Sequence, residues 1–347
     1  MKPAKSAEVL RFRGICGIME KTIPSRPAFA GREGNGTIFL GDCMQNKKIL
    51  LGYVCIILSA VIFGLMPLMA SVIYADGVNS ITLAFLRNCL SLPLIALLAF
   101  CSQGKVRMSV RALPRLCFIS LMGCCLTPVL LFNSYNYIQS GTATVFHFIY
   151  PAVVVLGEFL CLRTNKNHKH VLCVLLCMAG IALFYSPGHT LNLQGSLLAL
   201  SSGITYAVYV IALSAYKHER GSVFGFSLCV SGIASVLLLS FCLLTGQLAL
   251  PHTLRGWILS VGFACIVNAG AVALFQRGTF LIGGSRASIL STFEPITGVF
   301  VGILVFRETV NPFTLLGTAL VIAAGVLIAV FDVKKARRDG GGCADEG

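Results

Sequence analysis

Residues 49–75 read ILLGYVCIILSAVIFGLMPLMASVIYA, and no charged residue lies between Lys48 and Asp76. A helix needs about 20 apolar residues to cross the hydrocarbon core of a bilayer, because each residue adds about 1.5 Å along its axis. The whole chain is similar: its 347 residues are 56% hydrophobic and 12% charged, with a mean hydropathy of +0.85. Soluble domains carry roughly 25% charged residues. The composition therefore predicts an all-α polytopic membrane protein, with the lipid bilayer as its main surroundings.

Ten apolar stretches of this kind follow one another along the chain. We number the predicted transmembrane helices as spans 1 to 10, at residues 49–73, 80–101, 113–133, 140–162, 170–186, 194–214, 222–245, 256–275, 285–306 and 312–331. Pro67, Pro151 and Pro295 lie inside spans 1, 4 and 9. Proline removes a backbone donor and opens a helix locally, so these three positions are predicted helix hinges.

The basic residues are spread over the gaps between spans. Excluding the first 43 residues, the predicted cytoplasmic segments hold 17 Lys and Arg residues, whereas the predicted outer gaps hold only Arg255 and Arg307. The positive-inside rule then places both termini in the cytoplasm. The expected location is the cell inner (plasma) membrane. This spread also argues against nucleic acid as the partner of a net charge of +14. Residues 1–47 are predicted to be a disordered tail, with Met44 as an alternative start, and residues 333–347 a basic cytoplasmic tail.

The chain repeats itself at an interval of about 144 residues. The matched prolines and polar residues are Pro151 with Pro295, Arg163 with Arg307, and Asn167 with Asn311. Each half contains five predicted spans, so the second half must enter the membrane from the opposite side. We therefore predict two inverted five-helix repeats, residues 48–187 and 194–332, around a central cavity. Inverted repeats of this kind are typical of alternating-access carriers.

Short motifs in both halves resemble those of a known family. They are Phe85-Leu86-Arg87, Ser140-Gly141-Thr142-Ala143 and Tyr150-Pro151 in the first half, and Phe293-Glu294-Pro295, Phe306-Arg307-Glu308 and Ala324-Gly325 in the second. On these motifs, residues 48–331 resemble EamA-type transporters of the drug/metabolite transporter (DMT) superfamily. The resemblance implies ten helices around a central cavity and, often, export of amino acids or related metabolites. The chain departs from the family at Thr164, which stands where the second repeat has Glu308. Span 1 also lacks the glutamate that small multidrug antiporters of the superfamily use for proton exchange.

Ionisable groups inside a span need an explanation, because inserting one costs about 2.5–3.5 kcal/mol. Arg87 in span 2 either pairs with an anionic substrate group or snorkels towards the outer face. Glu294, near the middle of span 9, either binds substrate or a cation or makes a buried interhelical hydrogen bond. His147 in span 4 either titrates near neutral pH or is a plain hydrogen-bonded histidine. Its helix face also carries Tyr150, the repeat counterpart of Glu294.

Neutral side chains complete the predicted cavity lining: Phe63, Asn133, Tyr206 and Asn268. The sequence contains no HExxH, GxSxG or Walker motif. Its 15 cysteines lie mostly within apolar stretches, where a cysteine packs as a small hydrophobic residue. We therefore expect no catalytic residue, no metal site and no cofactor.

The leading functional hypothesis is a secondary carrier, driven without ATP, that exports a small polar metabolite such as an amino acid or a related compound. The alternative within the superfamily is a flippase of lipid-linked sugars or lipids, and the remote alternative is a membrane-embedded enzyme or sensor. The expected partners are a small-molecule substrate, the bilayer and, if transport is coupled, an ion. A monomer and a homodimer are both compatible with the sequence.

Overall fold

The structure is a computed structural model. It describes residues 35–102, 112–138, 140–161, 168–183, 192–216 and 222–297, and ten separate positions between 312 and 331. Regular structure in this part of the chain is entirely helical. The helices are Asn35–Gly64, Met66–Tyr74, Ser80–Cys89, Leu92–Cys101, Leu113–Ile119, Ser120–Leu126, Thr127–Ser134, Ser140–His147, Tyr150–Cys161, His168–Ala182, Leu193–Ala215, Val223–Thr245, Leu254–Phe263, Ala264–Val272, Ala273–Ile282 and Gly284–Leu290.

Six helical stretches in the described part of the chain, some of them with a short interruption, are long and apolar enough to cross a bilayer. They are Lys48–Tyr74, Ser80–Cys101, Leu113–Ser134, Leu193–Ala215, Val223–Thr245 and Leu254–Ile282, which correspond to spans 1, 2, 3, 6, 7 and 8. The prediction of an all-α polytopic membrane protein is therefore confirmed. Spans 4, 5 and 9 are represented by shorter described helices, and half of the residues of span 10 lie outside the described part of the chain.

The first helix starts earlier than the sequence analysis predicts. Residues 35–47, assigned there to a disordered tail, are helical and continue into span 1. The physical reason is that extending an existing helix costs far less than nucleating one, and no proline occurs between Pro27 and Pro67. The rest of the predicted tails, residues 1–34 and 333–347, lies outside the described residues.

Large apolar side chains cover much of the outer surface of the bundle. Examples are Phe100, Leu197 and Leu244, which are 86%, 54% and 88% exposed. Monomeric soluble proteins rarely expose apolar surface on this scale. On a membrane-spanning bundle these side chains face the lipid tails.

The two halves share an unusual backbone feature in their third helices. Spans 3 and 8 change from α to π geometry at Ser120–Leu126 and at Ala264–Val272, and the two π segments start 144 residues apart. A π segment inserts one residue per turn and is rare in helices, so its recurrence at the repeat interval is not explained by apolar composition. The sequence repeat is therefore also a repeat in the backbone.

Helix starts repeat as well. The side chain of Asn79 accepts a hydrogen bond from the Thr82 N–H (2.8 Å) at the start of span 2. The Ser222 side chain accepts one from the Gly225 N–H (2.9 Å) at the start of span 7, 143 residues later. Each cap satisfies a backbone donor that has no partner within the helix, so both halves begin their second helix in the same way.

Three helices are interrupted next to the predicted hinge prolines. Span 1 breaks at Leu65, just before Pro67. Span 4 breaks at residues 148–149, before Pro151, and span 9 breaks at residues 291–292, before Pro295. At the 144-residue interval that relates Pro151 to Pro295, the breaks in spans 4 and 9 coincide to within one residue. Proline cannot donate to the preceding turn, which explains why each helix opens on the N-terminal side of its proline.

The halves are interlocked rather than side by side. Span 1 packs on span 8, span 2 on span 7 and span 3 on span 6. Buried hydroxyl groups cross the boundary: Ser59 Oγ donates to the Ala271 carbonyl (2.8 Å), and Ser120 Oγ donates to the Val230 carbonyl (2.6 Å). Close packing and interhelical hydrogen bonds hold helices together inside a membrane, where the hydrophobic effect does not. The core of the molecule thus lies between its halves.

At one end of the bundle, two loops from different halves are joined. The Asp76 carboxylate accepts hydrogen bonds from the Thr253 N–H (3.1 Å) and the Thr253 hydroxyl (2.8 Å). Asn79 Nδ2 donates to the Gln247 carbonyl (2.6 Å). The two Thr253 donors favour the ionised carboxylate and lower the pKa of Asp76 below its usual range. Both loops belong to the same predicted side of the membrane, so their contact agrees with the ten-span topology.

Candidate functional site

A cavity of about 50 Å³ lies between the two halves. Its walls come from spans 1, 2, 3 and 4 of the first half and from spans 6, 8 and 9 of the second. The lining residues are Phe63, Met66, Arg87, Gly123, Cys124, Thr127, Pro128, Leu131, His147, Tyr206, Tyr209, Val272, Phe275 and Glu294. This volume holds a few water molecules, whereas binding pockets for small molecules measure about 300–1,000 Å³. Admission of a metabolite therefore requires the walls to move apart.

Arg87 is buried inside the bundle, with 5% of its surface exposed. Its guanidinium carbon lies 5.9 Å from the centre of the Phe132 ring, a cation–π contact. Its Nε is buried without a hydrogen-bond partner, and no carboxylate in the described part of the chain lies within 4 Å. The snorkelling alternative for Arg87 is therefore not what the structure shows. The group faces the cavity instead.

Glu294 reaches the cavity from the break in span 9. Its N–H donates to the Ser291 carbonyl (2.9 Å) rather than to a residue four positions earlier, so the break sets its position. The side chain is half-buried. Among the described residues, none forms a hydrogen bond or an ion pair with its carboxylate. The expected alternative, a buried interhelical hydrogen bond, is thus not present in this conformation.

Close packing against a glycine fixes the backbone on each side of the cavity. A β-carbon added to Gly64 of span 1 would lie 2.7 Å from the Glu294 carbonyl oxygen. A β-carbon added to Gly203 of span 6 would lie 2.5 Å from the His147 carbonyl oxygen. Both distances are shorter than van der Waals contact allows. In each half, therefore, the first helix places a glycine against the broken fourth helix of the other half.

His147 is held in one orientation by span 6. Its Nδ1 lies 2.8 Å from Ser202 Oγ, and Ser202 donates its own proton to the Ala199 carbonyl (2.6 Å). If the Ser202 proton stays on the Ala199 carbonyl, Ser202 accepts from His147 Nδ1, and a neutral imidazole then presents Nε2 as an acceptor. This is the hydrogen-bonded histidine of the second alternative, although its ring also lines the cavity.

Aromatic rings form one wall of the cavity. Tyr206 stacks on Tyr209, with ring centres 5.6 Å apart, and lies 5.6 Å from Phe275 and 4.8 Å from Tyr150. The Tyr209 hydroxyl accepts a hydrogen bond from Gln276 Nε2 (3.3 Å), which fixes its position. This wall is apolar across its ring faces and polar at its hydroxyl groups. Such surfaces bind both hydrocarbon and cationic groups.

Three of the predicted lining residues lie elsewhere. Tyr150 is 1% exposed and packs behind His147, with ring centres 5.4 Å apart. Asn268 is fully buried and donates to Ser91 Oγ (2.7 Å) and Ser231 Oγ (3.0 Å). It therefore joins spans 2, 7 and 8 rather than facing the cavity.

Asn133, the third of them, is half-buried near the end of span 3 and accepts a hydrogen bond from Asn136 (3.2 Å). Phe63, Arg87, His147, Tyr206 and Glu294 are the predicted residues that the structure brings together.

Other cavity residues were not singled out from the sequence. Thr127 follows the π segment of span 3, and its hydroxyl lies 2.7 Å from the Met122 carbonyl and 2.9 Å from Thr205 Oγ1. Met66 and Phe275 resemble any other apolar residue of a membrane helix. The Thr127-Pro128 pair is the one signal that a search for interrupted helices could have used.

The chain was then compared with known proteins. The sequence profile of the EamA-like transporter family matches it twice, at residues 50–186 and 193–330. An uncharacterized transporter of Archaeoglobus fulgidus is 26% identical over 287 residues, 80% of this chain and 96% of that protein. The uncharacterized inner membrane transporter YicL of Salmonella typhimurium is 28% identical over 57% of this chain and 67% of its own length. A solved crystal structure with 15% identity has a TM-score of 0.64 over 84% of this chain and 98% of the other, a likeness of fold alone.

Proposed function

The chain belongs to the EamA-like transporter family, and from that premise we propose that it is a secondary carrier exporting a small polar metabolite by alternating access. Amino acids and related compounds are the first candidates for the substrate. Membership of the family and the membrane-length helices make it a multi-pass membrane transporter. The inner membrane, with both termini in the cytoplasm, is the proposed location, in line with the distribution of basic residues.

The observation that carries this proposal is the cavity that both halves line. Its lining residues converge from seven spans, and His147 of span 4 and Glu294 of span 9 lie next to corresponding helix breaks. A break leaves few backbone hydrogen bonds to hold the two parts of a helix in line, so the parts can tilt independently. A site with such a break in each half can open to either side in turn.

Two repeats of opposite orientation supply a simple mechanism. A conformation in which one half is tilted and the other straight has a counterpart of similar energy in which the roles are exchanged. Substrate bound between the halves is then released on the other side. If transport is coupled to a cation or proton, Glu294 is the cavity carboxylate in the described residues that could carry it.

Ligand-dependent thermal stabilisation of the purified full chain tests the proposal. A compound that binds only the folded state stabilises it by about 2.7 kcal/mol at a concentration 100 times its Kd, and this stabilisation raises the Tm. The panel contains amino acids, nucleosides, sugars, cationic dyes and lipid-linked sugars. We expect stabilisation by at least one small polar class and its loss in Glu294→Gln. Arg255→Gln, which changes an exposed residue far from the cavity lining, is the matched control. Stabilisation by lipid-linked sugars alone would contradict the proposal and favour the flippase.

A further inference from the structure

We propose that the cavity selects a zwitterion, with the substrate carboxylate on Arg87 and the substrate ammonium on Glu294. This inference rests on the proposed function, since it names the substrate class of the same site. It goes further by assigning one charge of the substrate to each half of the protein. The argument uses burial, missing partners and the chemistry of the two groups.

Arg87 is a buried cation without a buried anion. One of its donors, Nε, has no acceptor, and the Phe132 ring is the one group in the described residues that compensates its charge directly. Arginine stays protonated under all relevant conditions, so burial cannot neutralise it. Its planar fork matches the two oxygens of a carboxylate or phosphate. A substrate anion in the cavity would supply the missing partner.

Glu294 presents the complementary requirement. Its carboxylate lines the same cavity, and no Lys, Arg or His of the described chain lies within 4 Å. Tyr206, whose ring is part of the aromatic wall, lines the same cavity as Glu294 and Arg87. An ammonium group in this cavity would have a carboxylate and aromatic rings among its surroundings, both of which attract cations.

The two charges do not neutralise each other directly, although they share one cavity. A monocation would leave Arg87 without a partner, and a monoanion would leave Glu294 without one. A neutral sugar would compensate neither charge. A molecule that carries both an anionic group and an ammonium group satisfies both residues while adding no net charge to the site. Leaving a buried charge uncompensated is costly, so we expect a large difference in affinity between a zwitterion and a ligand with one charge or none.

Two sources can supply this chemistry: a free amino acid and the headgroup of a zwitterionic phospholipid. We commit to the amino acid because the described lining combines one guanidinium and one carboxylate with aromatic rings. An amino acid likewise combines two charged groups with a side chain that can pack on such rings. Glycerophosphoethanolamine carries the headgroup charges without the acyl chains and separates the two sources.

Matched ligands test the assignment in the purified full chain by calorimetric Kd. The first set is phenylalanine, phenethylamine without the carboxylate, and 3-phenylpropanoate without the ammonium. The second set is leucine, isoamylamine and 4-methylpentanoate. We expect each amino acid to bind about 100-fold more tightly than its two analogues, because a site built for a polar group rejects ligands that lack it.

The variants must change specificity in opposite directions. Arg87→Gln should bind the amino acid and the amine equally well, because it no longer recognises the carboxylate, but should still bind the amino acid more tightly than the acid. Glu294→Gln should bind the amino acid and the acid equally well, because it no longer recognises the ammonium, but should still bind the amino acid more tightly than the amine. Arg87→Lys keeps the positive charge and replaces Arg87→Gln in the test if that variant fails to fold. It should retain part of the preference for the amino acid over the amine. Arg255→Gln should behave as wild type.

If the two residues had a purely structural role, each variant would lose the same affinity for the amino acid, the amine and the acid. That result would overturn the inference. Equally tight binding of the amine or the acid to wild type would overturn it too. If only sugars or dyes bind, the inference is wrong while the carrier proposal stands. If glycerophosphoethanolamine binds more tightly than either amino acid, zwitterion selection holds but the export of a free metabolite does not.

Discussion

Spans 4 and 9 break at the same place in their repeats but carry different side chains there. Span 4 has His147 and Tyr150 around its break, and span 9 has Ser291 and Glu294 at the equivalent positions. The same contrast applies to Arg87: at the 143-residue interval that relates the caps Asn79 and Ser222 of spans 2 and 7, its counterpart is Val230. The two halves thus share backbone irregularities and differ in charge. The comparison teaches that symmetry here concerns how the helices bend, whereas the chemistry of the site is asymmetric.

The largest expected effect comes from removing the charge next to the break in span 9, which span 4 lacks at the equivalent position. Glu294→Gln should weaken substrate binding about 100-fold, a loss of roughly 2.7 kcal/mol, because it takes away the anion that faces the substrate. Tyr150→Phe, the equivalent change in span 4, keeps the ring contacts with His147 and Tyr206 and should weaken binding less than about threefold. Calorimetric Kd values measured on both variants check this. Equal losses would mean that the halves contribute alike.

The next effect concerns the shared backbone. Gly64→Ala and Gly203→Ala each push a β-carbon into a carbonyl oxygen of the opposite broken helix. Overpacking of this kind costs about 1–3 kcal/mol, and both variants should unfold at lower temperature than wild type. Gly232→Ala is the control, because its β-carbon meets no atom within 4 Å. That change should stabilise span 7 by about 0.5–1 kcal/mol. If only one of the two variants, Gly64→Ala or Gly203→Ala, unfolded at a lower temperature than wild type, the two halves would not be packed alike.

A smaller effect distinguishes the two π segments. Asn268 in span 8 and Cys124 in span 3 are equivalent positions, 144 residues apart. Asn268→Ala leaves the hydroxyls of Ser91 and Ser231 without their donor and should cost about 1–3 kcal/mol. Cys124→Ala removes a buried thiol and should cost about 1 kcal/mol. Denaturant unfolding in detergent measures both. A costlier Cys124→Ala would show that the polar junction at Asn268 is not what holds spans 2, 7 and 8.

Much of this architecture follows from the sequence, for physical reasons. A bilayer forces apolar stretches to be helical, and prolines mark where a helix must open. The positions of the spans and the breaks at Pro67, Pro151 and Pro295 can therefore be predicted from the sequence. Charged groups such as Arg87 and Glu294 also stand out, because burying them is costly.

The remaining features of the site depend on which faces of the helices pack against each other, and the sequence does not specify this packing directly. Nothing in the sequence separates Asn268, which joins three helices, from a cavity residue, or shows that Tyr150 packs behind His147. The π segments at residues 120–126 and 264–272 are equally hidden, since each depends on the packing of its neighbours. The early start of the first helix is not evident from the sequence, because the polar residues 45–48 resemble the end of a tail.

The smallest expected effect lies at the end where Asp76 of the first half meets span 8 of the second. Thr253→Ala removes the cap of Gly256 and one donor to Asp76, and should lower stability by about 0.5–2 kcal/mol. Since the pKa of Asp76 is lowered in the folded state, its contribution is present above the usual value of 3.8 and is lost as pH falls below it. Asp76→Asn should therefore show a weaker fall in Tm than wild type between pH 5 and pH 3. An identical fall would mean that this link does not couple the halves.

The central claim is that substrate crosses the membrane through the asymmetric cavity between two mechanically equivalent halves. Counterflow in proteoliposomes tests it most directly, with labelled leucine outside and unlabelled leucine inside, and no nucleotide or ion gradient. The account predicts transient accumulation of label in wild type and in Arg255→Gln, and none in Glu294→Gln. Accumulation in Glu294→Gln equal to that of wild type, or entry of label that is independent of the preloaded leucine, would contradict it.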